Sequence, residues 1–313
     1  MKTNKGRLFR TIALIILVGL LLRIVIPRLL LLKYWVGDYR IEINTDYKTV
    51  NLLEYRGDEN MVLPSTIGPF TVVYVNRDIF TSRDDITSIY IPADIDPDVL
   101  IRIKDCVNLR KIEFEEGIKV ISLHAYDCNN LEEVIIPEGV EVGGNFTRCS
   151  SLGEIKLPST FKEASEIDYF DTKFSQLHEK DKYYVVGDGV LLFTNIDIEK
   201  DIVIPQGVRY FKDFLRLYEN TLRKIYIPES MNSLILEVDE GDTIYFGGEA
   251  FEVLDLDMSC DGVKSTIVAP ANSYVESFCK ENGYNFRVMT DEEENEWREK
   301  TEAAASEITY QEN

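Results

Sequence analysis

The sequence predicts a β-rich repeat solenoid standing behind an N-terminal transmembrane helix. Three observations carry this. The motif Cys-x-x-Leu-x-x-Ile/Val-x-Ile/Leu/Phe is written three times, starting at Cys106, Cys128 and Cys149. Its apolar positions recur every 21–23 residues. The 22 residues from Thr11 to Leu32 are almost wholly apolar.

The apolar span comes first. Sixteen of its 22 residues are Ile, Leu or Val. As a helix it measures about 33 Å, enough for a bilayer core. Those side chains favour insertion by about 5–10 kcal/mol, against up to about 3 kcal/mol each for Arg23 and Arg28. Pro27 is tolerable in a membrane helix. No A-x-A-like site follows for a signal peptidase. A buried soluble helix would have to be apolar on every face at the extreme N-terminus. The expectation is therefore an uncleaved signal anchor. Lys2, Lys5, Arg7 and Arg10 precede it, which places residues 1–10 in the cytoplasm and the body outside. Residues 33–52 read as a short tether.

The repeats follow. Leu109, Ile112 and Phe114 match Leu131, Val134 and Ile136, then Leu152, Ile155 and Leu157. Ile86, Ile89 and Ile91 fit upstream; Ile202 with Ile204, and Leu222 with Ile225 and Ile227, fit downstream. The Ile-x-Ile core alternates with period two, so it is a short strand with one face inward. One strand cannot bury that face alone, and stacked coils place equivalent residues about 4.8 Å apart in one continuous core. Pro92, Pro137, Pro158, Pro205 and Pro228 close the runs, because proline removes a ladder donor where the chain turns away. A period of 21–23 residues is that of leucine-rich repeats.

These units resemble the BspA-like type (type 5) of leucine-rich repeat, carried by many bacterial and some protist surface proteins. Its core reads Cys-x-x-Leu-x-x-Ile-x-Ile-Pro-x-x-Val. Leu53–Val75 resembles the family's opening coil, and Lys182–Val208 its glycine-containing hairpin unit. Asp242–Glu252, with "YFGG", resembles the aromatic-Gly-Gly unit that closes many arrays. Ser265–Val288 resembles its last strand and capping helix. The resemblance covers roughly residues 53–288. It is poor between Phe161 and Tyr184, which lacks a clear Cys-x-x-Leu, and between Met231 and Asp242. It implies a right-handed stack of coils over 53–289, displayed outside the cytoplasm, and binding or adhesion to a protein or cell-surface ligand. The tail, 290–313, is polar, shows no sustained apolar stripe beyond Trp297, and reads as a frayed helix or disorder.

Charge excludes one class of partner. The chain holds 34 basic and 55 acidic residues, net −21. Residues 1–33 carry seven bases and no acid, so the remainder stands at 27 against 55, or −28. That field repels phosphates, and no nucleic-acid partner is expected.

Little in the sequence promises covalent chemistry. The five cysteines show neither Cys-x-x-Cys nor zinc spacing, and Cys106, Cys128 and Cys149 share one repeat position. They read as buried free thiols. The two histidines, His124 and His178, sit in a repeat corner and a charged segment. Asp94–Asp98 lacks the glycine and glutamate of a calcium loop. Asn145-Phe146-Thr147 reads as a turn. No cofactor and no metal are expected. A carboxylate-dependent envelope hydrolase and a purely structural envelope component are the rival readings.

The candidate binding surface is the outward face of the strand ladder. There the residues between the buried pairs point to solvent: Tyr90, Glu113, Ile135, Lys156, Val203 and Tyr226. Such a row mixes aromatic, aliphatic and charged groups, as interfaces do. Glu113 is expected to pair across strands with Lys156 or its neighbours.

Overall fold

The computed structural model describes residues 33–141, 143–162, 169, 171–195, 201–211, 223–237, 241–248, 255–259 and 265–311. The basic tail at 1–10, the span at 11–32, Leu222 and Cys260 lie outside the described residues. Among the described residues, no helix is long and apolar enough to cross a membrane.

The Ile-x-Ile runs form strands. Asn60–Val62, Ser88–Ile91, Lys111–Phe114, Glu133–Ile135 and Glu154–Lys156 stack in parallel as a first ladder. Register joins Ile89 to Ile112, Ile112 to Val134 and Val134 to Ile155. All four are buried, as the alternation requires. Four of these five coils then turn at a proline, Pro64, Pro92, Pro137 and Pro158, while Phe114 is followed by Glu115. In the Pro137–Val140 turn, Gly139 takes φ 94°, where a side chain would be strained.

A second strand lies in each of two coils, which the motif did not announce. Ile101–Lys104 pairs in parallel with Leu123–Tyr126, and isolated bridges extend this side to Thr81 and Asn145. The corner back to the first ladder is made by Asp105, Asp127 and Arg148, all with φ of 54–57°. Aspartate tolerates this left-handed conformation better than most residues. Each precedes a repeat cysteine, and Cys106, Cys128 and Cys149 are buried and free. Asn108 and Asn130 tie coils together, each donating at 2.6 Å to a backbone carbonyl of the previous coil, those of Asp84 and Val107. In the Asn145-Phe146-Thr147 turn, the Asn145 side chain accepts from both the backbone and the hydroxyl of Thr147.

The unit that lacks Cys-x-x-Leu keeps the corner. Asp171 has φ 55°, and Thr172, 23 residues after Cys149, is fully buried where cysteine stood before. Its hydroxyl donates to Tyr169 O at 2.7 Å, which satisfies the polar group that cysteine would not bring. It also caps the short helix Lys173–His178. Beyond this unit comes the hairpin Tyr183–Val186 and Val190–Thr194.

A second ladder follows: Ile202–Val203, Lys224–Ile227, Thr243–Phe246, Thr266–Ala269 and Phe286–Val288, again parallel. The weakly matched unit after Met231 still supplies a strand, Ser233–Glu237, which pairs in parallel with Tyr210–Phe211 and Asp255–Ser259. The helix Tyr274–Asn282 closes this end, capped by Ser273 and by Gly283 at φ 75°.

Both ends depart from expectation. The tether is a folded part of the array: Tyr34–Val36, Tyr39–Ile43 and Thr49–Tyr55 form an antiparallel sheet. Ile41, Ile43, Val50 and Leu52 are buried in the core. Their period-two spacing marks a strand pair that covers the open end of the stack. In the tail, residues 290–311 are ordered rather than frayed. Asp291–Ala305 is a helix with a Thr290–Glu293 capping box, and Ile308–Tyr310 adds in parallel to Tyr183–Val186. Gln311 then donates from its backbone to Val185 O, while its side-chain amide both donates to and accepts from the Leu157 backbone. Gln311 is thus wedged between the last strand of the first ladder and the hairpin.

Candidate functional site

The residues singled out on the strand face divide between the two ladders. On the first, register lines up Val62, Tyr90, Glu113, Ile135 and Lys156 as one row across five coils. Strand pleating turns them outward because their neighbours are the buried pairs. Val62 is 60% exposed and Ile135 36%. Tyr90 and Glu113 are half-buried, and Lys156 is exposed. Val62, which sequence reasoning passed over, is the row's most exposed apolar member; its strand was hidden inside the opening coil.

A parallel row, two residues earlier in each strand, contains Asn60, Ser88, Lys111 and Glu133. The Ser88 hydroxyl donates to Asn60 Oδ1 at 2.7 Å. Lys111 meets Glu113 along the same strand at 2.9 Å. The expected cross-strand pairing of Glu113 with Lys156 does not form, because Ile135 stands between them in register. The Tyr90 phenol is held above its usual range, by desolvation and by the carboxylates of Glu115 and Glu113. It therefore stays a neutral donor at physiological pH. The face offers one aromatic, two aliphatic side chains and both signs of charge, on strands held rigid from behind.

The second ladder has the same outward row, Val203, Tyr226, Tyr245, Val268 and Arg287. Here the expectation fails for Tyr226, which is 0% exposed. The C-terminal helix lies over it. Trp297, buried to 3% exposure, donates from Nε1 to Ile227 O at 2.8 Å. Tyr226 donates to Glu296 at 2.8 Å and accepts from Lys300 at 2.9 Å. Burial raises the Tyr226 phenol well above its usual range. Val203 is half-buried and packs against the same cluster. Alternation had correctly given the side of the strand; it could not say that a helix some 70 residues later would cover that side.

Both histidines are held by neighbouring side chains. His124 Nδ1 lies 3.0 Å from the Tyr126 hydroxyl on one strand. His178 bonds Asp181 at 2.7 Å and stacks on Tyr184, ring centroids 3.7 Å apart. In the thiol column the Cys106 thiol is raised by its hydrogen bond to Cys128 and by burial, while the Cys149 thiol is lowered by its hydrogen bond with Cys128; outside the column, burial pushes Cys279 up to about 11. In the Asp94–Asp98 loop, Asp96 accepts from the Asp98 backbone, a solvated turn. Among the described residues, no group of three His, Cys, Asp or Glu is placed to hold a metal ion.

The chain's repeats match the BspA type leucine-rich repeat region in six copies, over residues 59–166 and 143–238. No curated protein matches the chain. Among solved structures it is similar to a leucine-rich-repeat protein of T. pallidum, with 16% identity, covering 82% of this chain and 98% of that one, at a TM-score of 0.33. It is also similar to a leucine-rich-repeat protein from Bacteroides ovatus (14%, 82% and 100% covered, TM-score 0.32). A leucine-rich cell surface protein from Faecalibacterium prausnitzii matches at 14% identity, with 87% and 97% covered and a TM-score of 0.27. With matched repeats spanning more than half of its length, the chain belongs to the family of BspA-type leucine-rich-repeat proteins.

Proposed function

We propose that this is a membrane-anchored, extracytoplasmic binding protein, adhesin-like, that captures a protein or surface ligand on the outward face of its first ladder. One observation carries the reading: two ladders present equivalent rows, and among the described residues a helix covers only the second. The first row, Val62 to Lys156, stays open over five coils. A contiguous row of exposed and half-buried side chains on paired strands costs little ordering entropy on binding. Capture there is by shape and surface chemistry and involves no covalent step. The apolar 11–32 span supports the anchor, and the basic residues before it support a cytoplasmic N-terminus.

The test compares the full chain in detergent with Tyr90→Ala and Ile135→Ala. Proteins or glycans retained from an extracellular fraction are identified, and melting temperatures are measured in parallel. A ligand of this face is retained by the parent and weakened by Tyr90→Ala about tenfold or more, in line with aromatic anchors elsewhere. The melting temperature stays put. Equal retention by all three proteins would sink the assignment of this face.

A further inference from the structure

We propose that the outward face of the second ladder is a receptor for acidic, tryptophan-bearing helices, and that the C-terminal helix is its tethered and exchangeable occupant. This surface is distinct from the open face of the first ladder.

The face has the chemistry of a binding site. Tyr226 and Tyr245 stack with centroids 5.0 Å apart and planes within 11°. Val268 and Met289 extend the apolar patch. Lys224 and Arg287 flank it; Lys224 Nζ lies 5.8 Å from the centre of the Tyr245 ring. The occupant is complementary. From Thr290 to Gln311 it has eight acids and two bases, net −6. Glu293 meets Arg287 at 2.8 Å through both carboxylate oxygens, and Glu296 meets Lys224 at 3.6 Å.

One position is shaped for the indole. A Cβ on Gly247 would overlap the Trp297 ring, so the backbone there is bare where tryptophan seats. The equivalent row of the first ladder forms with Val62 60% and Ile135 36% exposed and no helix over it among the described residues, so a ladder of this kind does not need the contact.

The helix is built to survive release. Its capping box, acidic first turn, and Glu294–Arg298 and Glu296–Lys300 pairs are all local. Of its 15 residues, Trp297, Thr301 and Ala304 are the buried ones. Apart from these and the Gln206 N–Thr301 O hydrogen bond, much of the helix's own attachment is ionic and partly exposed, the kind of contact that contributes little on its own, while the strand Ile308–Tyr310 and Gln311 beyond it hold by backbone hydrogen bonds and serve as the tether.

The probe is a fluorescein-labelled peptide of residues 290–311, titrated onto the full chain at about 0.15 M salt and followed by anisotropy. In the parent the site is filled. Trp297→Ala weakens the occupant and leaves the face intact, so it is expected to bind the peptide at least tenfold more tightly than the parent does. Gly247→Ala also dislodges the helix, but it blocks the seat of the peptide's own tryptophan. It is expected to bind no better than the parent, and to abolish the gain when added to Trp297→Ala. A Trp297→Ala protein whose helix amides exchange freely, yet which binds the peptide no better than the parent, overturns the proposal. Should Trp297→Ala fail to fold, native-state hydrogen exchange on the parent decides. Amides of 294–304 that open a hundredfold or more faster than those of Ile225 and Ile244 support an exchangeable occupant. Equal rates make the helix part of the core and overturn it.

Discussion

Leu131 and Ile135 sit four residues apart in one coil and face opposite environments. Leu131 is fully buried beside the repeat cysteines, while Ile135 is 36% exposed on the open face. Leu131→Ala is expected to cost about 2–5 kcal/mol, because the coils above and below cannot collapse into the space without breaking register. Ile135→Ala should cost less than about 1 kcal/mol. Denaturant unfolding of the two variants checks this, and equal losses would mean the inward register is wrong. At this scale the sequence was legible wherever chemistry repeated. Ile89, Ile112, Val134 and Ile155 declared themselves by period and are all buried. Thr172 did not, because a motif read by its cysteine cannot see a threonine that performs the same packing. The usable signal was positional: Asp171-Thr172 follows Arg148-Cys149 at the repeat spacing. Tyr226 was misjudged for a different reason. Alternation fixes which side of a strand a residue takes, and burial on that side is decided by a distant segment.

The C-terminal helix is the element that was hardest to read. Its buried stripe is Trp297, Thr301 and Ala304, at spacings of four and three. Two of these are too small or too polar to register as an apolar stripe in a run of glutamates. The signal that was available is the Thr290–Glu293 capping box, which announces a helix start whatever the helix covers. Its docking is expected to depend on pH. The Arg287 guanidinium, with Thr290, holds Glu293 down at about 2, and bonds from Tyr226 and Lys300 lower Glu296. A carboxyl whose folded pKa lies below its unfolded value stabilises the docked state fully above the ordinary carboxylate range. That contribution is lost as pH falls from about 4.5 toward 2. Trp297 should therefore move to a wetter environment over that window. The chain has two tryptophans, so the emission of Trp297 is best followed in a Trp35→Phe background. Emission that stays constant to pH 2 would show that these carboxylates do not hold the helix.

Across the whole molecule, the two core clusters meet at the hairpin, where Tyr184 belongs to one and Tyr183 to the other. Gln311 is seated at this seam. Gln311 bonds Leu157 on one side and Val185 on the other, and Lys182 meets Glu307 at 2.8 Å. In a solenoid each coil touches mainly its neighbours, so a weak junction lets the two halves unfold separately. Gln311→Ala, which removes both bonds to Leu157, should broaden the thermal transition or split it; calorimetry would show this, and an unchanged single transition would mean the core alone couples the halves. The anchoring reading belongs to this scale too, and rests on an asymmetry of charge. Seven bases and no acid stand in residues 1–33, while the rest of the chain carries −28. As a membrane anchor, a 22-residue apolar span between such unlike segments would be oriented by the bases, since short basic flanks are retained on the cytoplasmic side. Protease added to intact cells is then expected to remove the folded body and leave a membrane stub of residues 1 to about 33. Strands paired in ladders are expected to resist cleavage, so the cut should fall ahead of the strand at Tyr34. Protection of the whole body would place it on the cytoplasmic side, and a mature N-terminus beyond Leu32 would show that the span is cleaved. Either result would remove the anchor from the proposed function while leaving the open face of the first ladder to be tested on its own.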